Sequence, residues 1–134
     1  MKNVPFSVAL IVHGSKDPRW RQPFERVTNA LKKECGEGSV FLAYMELGSP
    51  TLMEVAQQAI EDGKSRLYVV PFFMAAGGHV DHDIPKQVEG VKTAFPSLEV
   101  KQLPPIGEHP EIQNLMKTIM IRLIQTGTYI TITL

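Results

Sequence analysis

The sequence predicts an α/β protein with a three-layer architecture, in which a four-stranded parallel sheet is flanked by helices. Three observations lead there. Short runs of β-branched and aromatic residues alternate with segments of helical periodicity, in the order βαβαβαβα. The first of these runs is apolar throughout, as a strand covered on both faces should be. Polar residues flanked by glycine gather just after the strands, where open parallel sheets bind their ligands.

Residues 7–12 (SVALIV) form the first strand: short, continuous and β-branched. Trp20, Phe24, Val27 and Leu31 then recur at three- and four-residue spacing, the stripe of an amphipathic helix, in which Pro23 fits only within the first turn. Residues 40–45 (VFLAYM) form the second strand. Ser49 and Pro50 read as a helix cap and first helical residue, ahead of the inward stripe Leu52, Val55, Ala56, Ala59 and Ile60, and Gly63 ends that helix. Residues 66–73 (RLYVVPFF) form the third strand, 84–95 the third helix and 98–103 a weaker fourth strand. Pro110 opens a last helix with Ile112, Leu115, Met116, Ile119 and Leu123 facing inward. Between residues 119 and 124 (IMIRLI) only Arg122 is polar, so part of this helix must be hidden by the tail or by a second copy.

A chain of 134 residues is about one domain, expected here over residues 1–127. The tail, 128–134 (TYITITL), alternates like an edge strand or is an artefactual appendage. A formal charge of zero argues against a nucleic-acid or membrane-surface protein. No apolar run approaches a membrane span and no signal-peptide pattern opens the chain, so a cytoplasmic location is expected. The single cysteine, Cys35, excludes an internal disulfide and a cysteine-based zinc cluster.

The chemistry concentrates at the strand ends. The first strand ends in His13-Gly14-Ser15, the second in Glu46, and the third leads through Gly77-Gly78 to His79. His13, Glu46 and His79 are spaced by one βα unit each, 33 residues, so the fold can bring all three to one edge of the sheet. Two imidazoles and a carboxylate suit a divalent first-row metal, and three protein ligands leave positions open, as in catalytic or transit sites. Taken singly, each histidine also fits a structural role. The glycines beside them admit a flat ligand or simply make turns. Neither a P-loop nor a dinucleotide fingerprint is present.

The segments VHGSKDPRW after the first strand and VVPFFMAAGGHVDHDIP after the third resemble the small CbiX proteins, single-domain class II chelatases that insert a metal into sirohydrochlorin. The resemblance runs from about Ser7 to Ile124 and implies a chelatase-like (flavodoxin-like) fold. It also implies that His13 and His79 hold the metal and act on the pyrrole nitrogens, with Glu46 matching a carboxylate ligand of related chelatases. The short form resembles one half of the two-lobed chelatases, which implies a homodimer. No cofactor is implied beyond the substrate metal: Co²⁺ for the cobalamin route, or alternatively Ni²⁺ or Fe²⁺.

Insertion requires pyrrole N–H protons to leave as ring nitrogens replace the metal's other ligands, and a neutral imidazole can take protons and hold a metal. His79 is read as the principal base and ligand, with His13 sharing the metal. Sirohydrochlorin is a polycarboxylate, so Lys16, Arg19 and Arg21 are expected near it, with Gly14, Ser15, Gly77 and Gly78 lining its approach; a solvated helix start accounts equally for the cations. Asp83 reads as a helix cap and His82 as exposed, Trp20 as core and His109 as a cap. Two other classes share these features: a metal-carrying protein without a tetrapyrrole crevice, and a flavodoxin-like domain binding another anion.

Overall fold

In the computed structural model, which describes residues 4–130 apart from the side chains at positions 79 and 80, strands and helices alternate as the periodicities require. The strands β1 (Phe6–Val12), β2 (Val40–Tyr44), β3 (Arg66–Pro71) and β4 (Glu99–Gln102) form one parallel sheet in the order β2-β1-β3-β4. The helices α1 (Pro18–Cys35), α2 (Leu52–Glu61), α3 (Gly78–Ala94) and α4 (Pro110–Thr126) each follow one strand. The first crossover runs to one edge of the sheet and the next two run to the other, so the direction in which strands are added reverses between β1 and β3. Right-handed connections then set α1 on one face and α2 and α3 on the opposite face.

Two cores follow from that division. Ala9, Ile11, Leu67 and Val69 of the sheet pack with Leu52, Val55 and Ala56 of α2 and with Ile84, Val88 and Val91 of α3. On the other face Leu10, Val12, Val40, Leu42 and Tyr44 pack with Trp20 and Phe24 of α1. This second layer is thinner, because α1 covers mainly the β2 side; Tyr68, Val70 and Phe72 remain only half-buried.

Several local expectations change. The buried face of α1 carries Thr28 behind Trp20 and Phe24, while Val27 and Leu31 are exposed. A threonine can replace an apolar residue there because its hydroxyl donates to the Phe24 carbonyl at 2.8 Å. Pro23 lies beyond the first turn, since α1 begins at Pro18. The cap of α2 is Thr51 rather than Ser49: it accepts from the Glu54 N–H at 3.2 Å while the Glu54 carboxylate accepts from its own N–H at 2.9 Å. The Ser49–Pro50 peptide is cis.

The third helix, expected from residue 84, starts six residues earlier, at Gly78, with Gly77 as its cap and Pro85 inside it. Asp83 therefore lies within the helix, not at its cap. The last helix stands apart: among the described residues none of α4 is buried, Leu115 and Leu123 are exposed, and Ile124 is 81% exposed. His109 does cap it, its Nδ1 accepting from the Glu111 N–H at 3.1 Å. Residues 128–130 form no strand, and 131–134 lie outside the described residues. Among the described residues no helix is long and apolar enough to cross a membrane.

Candidate active site

The carboxyl ends of β1, β2 and β3 are tied together by main chain that continues the ladder past the strands. The Met45 N–H donates to the Val12 carbonyl at 2.9 Å, the Glu46 N–H to His13 at 3.1 Å and the Phe72 N–H to Ile11 at 2.8 Å. His13 and Glu46 thus leave adjacent strands at the same level, and His13 Nε2 lies 3.3 Å from Glu46 Oε1. His13 Nδ1 lies 3.4 Å from the Gly14 carbonyl. Both side chains are accessible, at 38% and 56% exposure.

Gly14 has a structural reason to be glycine. Its φ is +113°, and a Cβ there would collide with the Glu46 carbonyl. The space it leaves is filled by the neighbouring strand end, which fixes how closely His13 and Glu46 approach.

The Ser15–Arg19 turn is satisfied within itself. Ser15 Oγ accepts from the Asp17 N–H at 3.1 Å, and Asp17 caps α1 by accepting from the Arg19 N–H at 2.9 Å. The Arg19 guanidinium closes on the same carboxylate at 2.9 Å and holds the Asp17 carboxyl below its usual range. Arg21 lies near Tyr44, whose hydroxyl is pushed up chiefly by burial. Lys16 is exposed.

The loop after β3 is anchored from the far side. The Gly107 N–H donates to the Phe73 carbonyl at 3.0 Å, the Ala76 N–H donates to Glu108 Oε2 at 2.9 Å, and Gly107 sits so close to the Met74 backbone that no Cβ fits. Gly77 (φ +131°) and Gly78 (φ +45°) then turn the chain into α3. His79 is in the first turn of that helix, and its side chain lies outside the described residues.

A cleft of about 210 Å³ opens between these elements, lined by His13, Met45, Glu46, Asp83, Lys86 and Gln87. Gln87 Nε2 donates to the Met45 carbonyl at 3.3 Å and so fastens α3 to the end of β2. The structure brings together His13 and Glu46 of the expected triad; among the described residues no group of three or more metal-binding side chains assembles. Lys86 and Gln87 escaped sequence reasoning. Their signal was helical spacing: positions 79, 83, 86 and 87 share one face of α3, opposite buried Ile84, Val88 and Val91.

The fold and this site define an α/β protein with an open imidazole–carboxylate centre at the carboxyl ends of β1 and β2. The family model for CbiX matches residues 7–122. The chain belongs to the CbiX family. It is 29% identical to the sirohydrochlorin cobaltochelatase of Sulfurisphaera tokodaii over 92% of this chain and 98% of that one. It is 26% identical to the sirohydrochlorin ferrochelatase of Priestia megaterium over 82% of its length, but spans only 41% of that longer protein. A crystal structure described as a cobalamin (vitamin B12) biosynthesis CbiX protein, from Marinobacter aquaeolei VT8, superposes with a TM-score of 0.80 at 27% identity, covering 92% of this chain and 98% of that one.

Proposed function

We propose that this protein is an enzyme, a sirohydrochlorin chelatase that inserts a divalent metal, Co²⁺ first, into the macrocycle. The observation that carries the reading is the 3.3 Å approach of His13 Nε2 to Glu46 Oε1 at an open strand-end cleft. A first-row ion bonded tetrahedrally to both donors at roughly 2.0–2.2 Å separates them by about 3.3–3.6 Å, so the pair is spaced as two neighbouring ligands of one ion. The Gly14 carbonyl, 3.4 Å from Nδ1, would accept from the Nδ1–H tautomer, and that tautomer would leave the Nε2 lone pair for a metal shared with Glu46.

The exchange balances simply. The ring nitrogens displace the protein's donors from M²⁺ as the pyrrole protons depart, and the metal's charge replaces theirs. His79 is the second imidazole of this reading: a ligand before transfer and, once the ring nitrogens have displaced it, a base that takes the two pyrrole protons one at a time and passes them to solvent. Acidification opposes both roles, since a protonated imidazole has no lone pair to give. Gly14, Ser15 and Lys16 on the loop after β1, Arg19 in the first turn of α1, and Gly77 and Gly78 at the start of α3 frame the approach; because Arg19 is already clasped by Asp17, its part is to hold the turn.

A cleft of about 210 Å³ holds the metal and one edge of a tetrapyrrole, so a second wall is needed. A homodimer supplies it. Each copy has an α4 with no buried residue and a half-covered sheet face at Tyr68, Val70 and Phe72, and exchange of α4 between copies covers both. The reading includes a cytoplasmic location and neither nucleic acid nor membrane as partner. Adding sirohydrochlorin and recording its visible absorption tests the reading: a perturbed spectrum supports it, and an unchanged one favours a metal carrier or a domain that binds another anion.

A further inference from the structure

The cleft that holds His13 and Glu46 is lined by the carboxylates Glu46 and Asp83 and by one cation, Lys86. A polyanionic macrocycle entering it meets like charge unless that cation answers. The basic residues near the end of β1 are placed elsewhere. Arg19 is closed on Asp17 at 2.9 Å, Arg21 lies near Tyr44, and neither these nor Lys16 line the cleft.

Lys86 is mounted differently. The helix that carries it is fixed on both sides of it, by buried Ile84 and Val88 and by the Gln87 bond to the Met45 carbonyl. Its own side chain is exposed, and among the described residues it forms no ion pair within 4.0 Å. A fixed helix carrying an exposed ammonium at a cleft rim is an arrangement for capturing an anion from solution. The ammonium is a point charge and does not demand a planar, forked partner.

We propose that Lys86 anchors a peripheral carboxylate of the tetrapyrrole while the ring centre lies over His13 and Glu46, and that it thereby selects polycarboxylate macrocycles. This rests on the chelatase reading, and its test separates the two. Sirohydrochlorin and Co²⁺ are titrated separately into wild type, Lys86→Gln and Lys86→Arg, by absorption and by calorimetry. The expected result is an affinity for sirohydrochlorin about tenfold weaker in Lys86→Gln, the scale of one charge-assisted contact, recovered in Lys86→Arg, with Co²⁺ affinity held in both. Equal sirohydrochlorin affinity in wild type and Lys86→Gln overturns the anchor while leaving the chelatase reading standing. A parallel loss of Co²⁺ affinity also overturns it, because Lys86 would then act on the metal donors. Failure of wild type itself to bind sirohydrochlorin overturns both.

Discussion

Glu46 is joined to His13 twice: its N–H donates to the His13 carbonyl at 3.1 Å, and its carboxylate lies 3.3 Å from the His13 ring nitrogen Nε2. The first link is main chain and survives any side-chain change. His13→Ala should therefore lose at least about tenfold in Co²⁺ affinity while its unfolding free energy moves by no more than about 0.5 kcal/mol, the range for surface changes. Glu46→Gln keeps shape and removes charge, so its metal affinity should fall less. Calorimetric titration with urea unfolding reads both quantities. Unchanged Co²⁺ binding in Glu46→Gln would remove Glu46 from the ligand set.

Gly14→Ala tests the backbone beneath that pair. At φ +113° and against the Glu46 carbonyl, a methyl group forces either the turn or the end of β2 to move. We expect a loss of about 1–3 kcal/mol in stability, the cost of holding an L-residue in such a region, together with weakened Co²⁺ binding. A variant as stable as wild type and binding Co²⁺ equally would show that the close approach is dispensable.

The α2 cap gives a pH-dependent prediction. Hydrogen bonds from the Thr51 N–H and the Thr51 and Ser49 side chains hold the Glu54 carboxyl below its ordinary value. A depressed carboxyl contributes stability that is present above the unfolded value and lost as pH falls through the folded one. Glu54→Gln should therefore be less stable than wild type at neutral pH, and the gap should close as pH falls below the usual glutamate range. Urea midpoints across that range measure the gap; a constant gap would contradict the assignment.

Much of the fold was legible because its signals are local. Each βα unit announces a continuous apolar run and then a 3.6-residue stripe, and 33-residue spacing placed His13 and Glu46 on neighbouring strand ends. What was missed depends on tertiary partners. The third helix was expected from residue 84, yet α3 begins at Gly78 because the Gly77-Gly78 turn, anchored through Glu108 and Gly107, delivers the chain in helical form earlier. That shift carries Asp83 from a presumed cap into the cleft. Thr28 took the inward place that pattern alone assigned to Val27, since a hydroxyl satisfied within its own helix is locally invisible as a core residue.

Assembly is tested at α4. Light scattering at micromolar concentration should give twice the 14.9 kDa chain mass, and replacing Ile121 and Ile124 with Lys should return it to 14.9 kDa. A wild-type mass of 14.9 kDa would leave α4 uncovered by a second copy, and a dimer of unchanged affinity in the double variant would move the interface elsewhere.

The central claim is metal insertion, and its most direct measurement is the rate of that reaction. Sirohydrochlorin is mixed with Co²⁺, Ni²⁺ or Fe²⁺ separately at neutral pH, with and without the protein, and the metallated product is followed by its visible absorption. The account predicts that the protein accelerates insertion, most with Co²⁺, and that His13→Ala and His79→Ala fall to near the protein-free rate while remaining folded. Insertion at the protein-free rate with all three metals would contradict it.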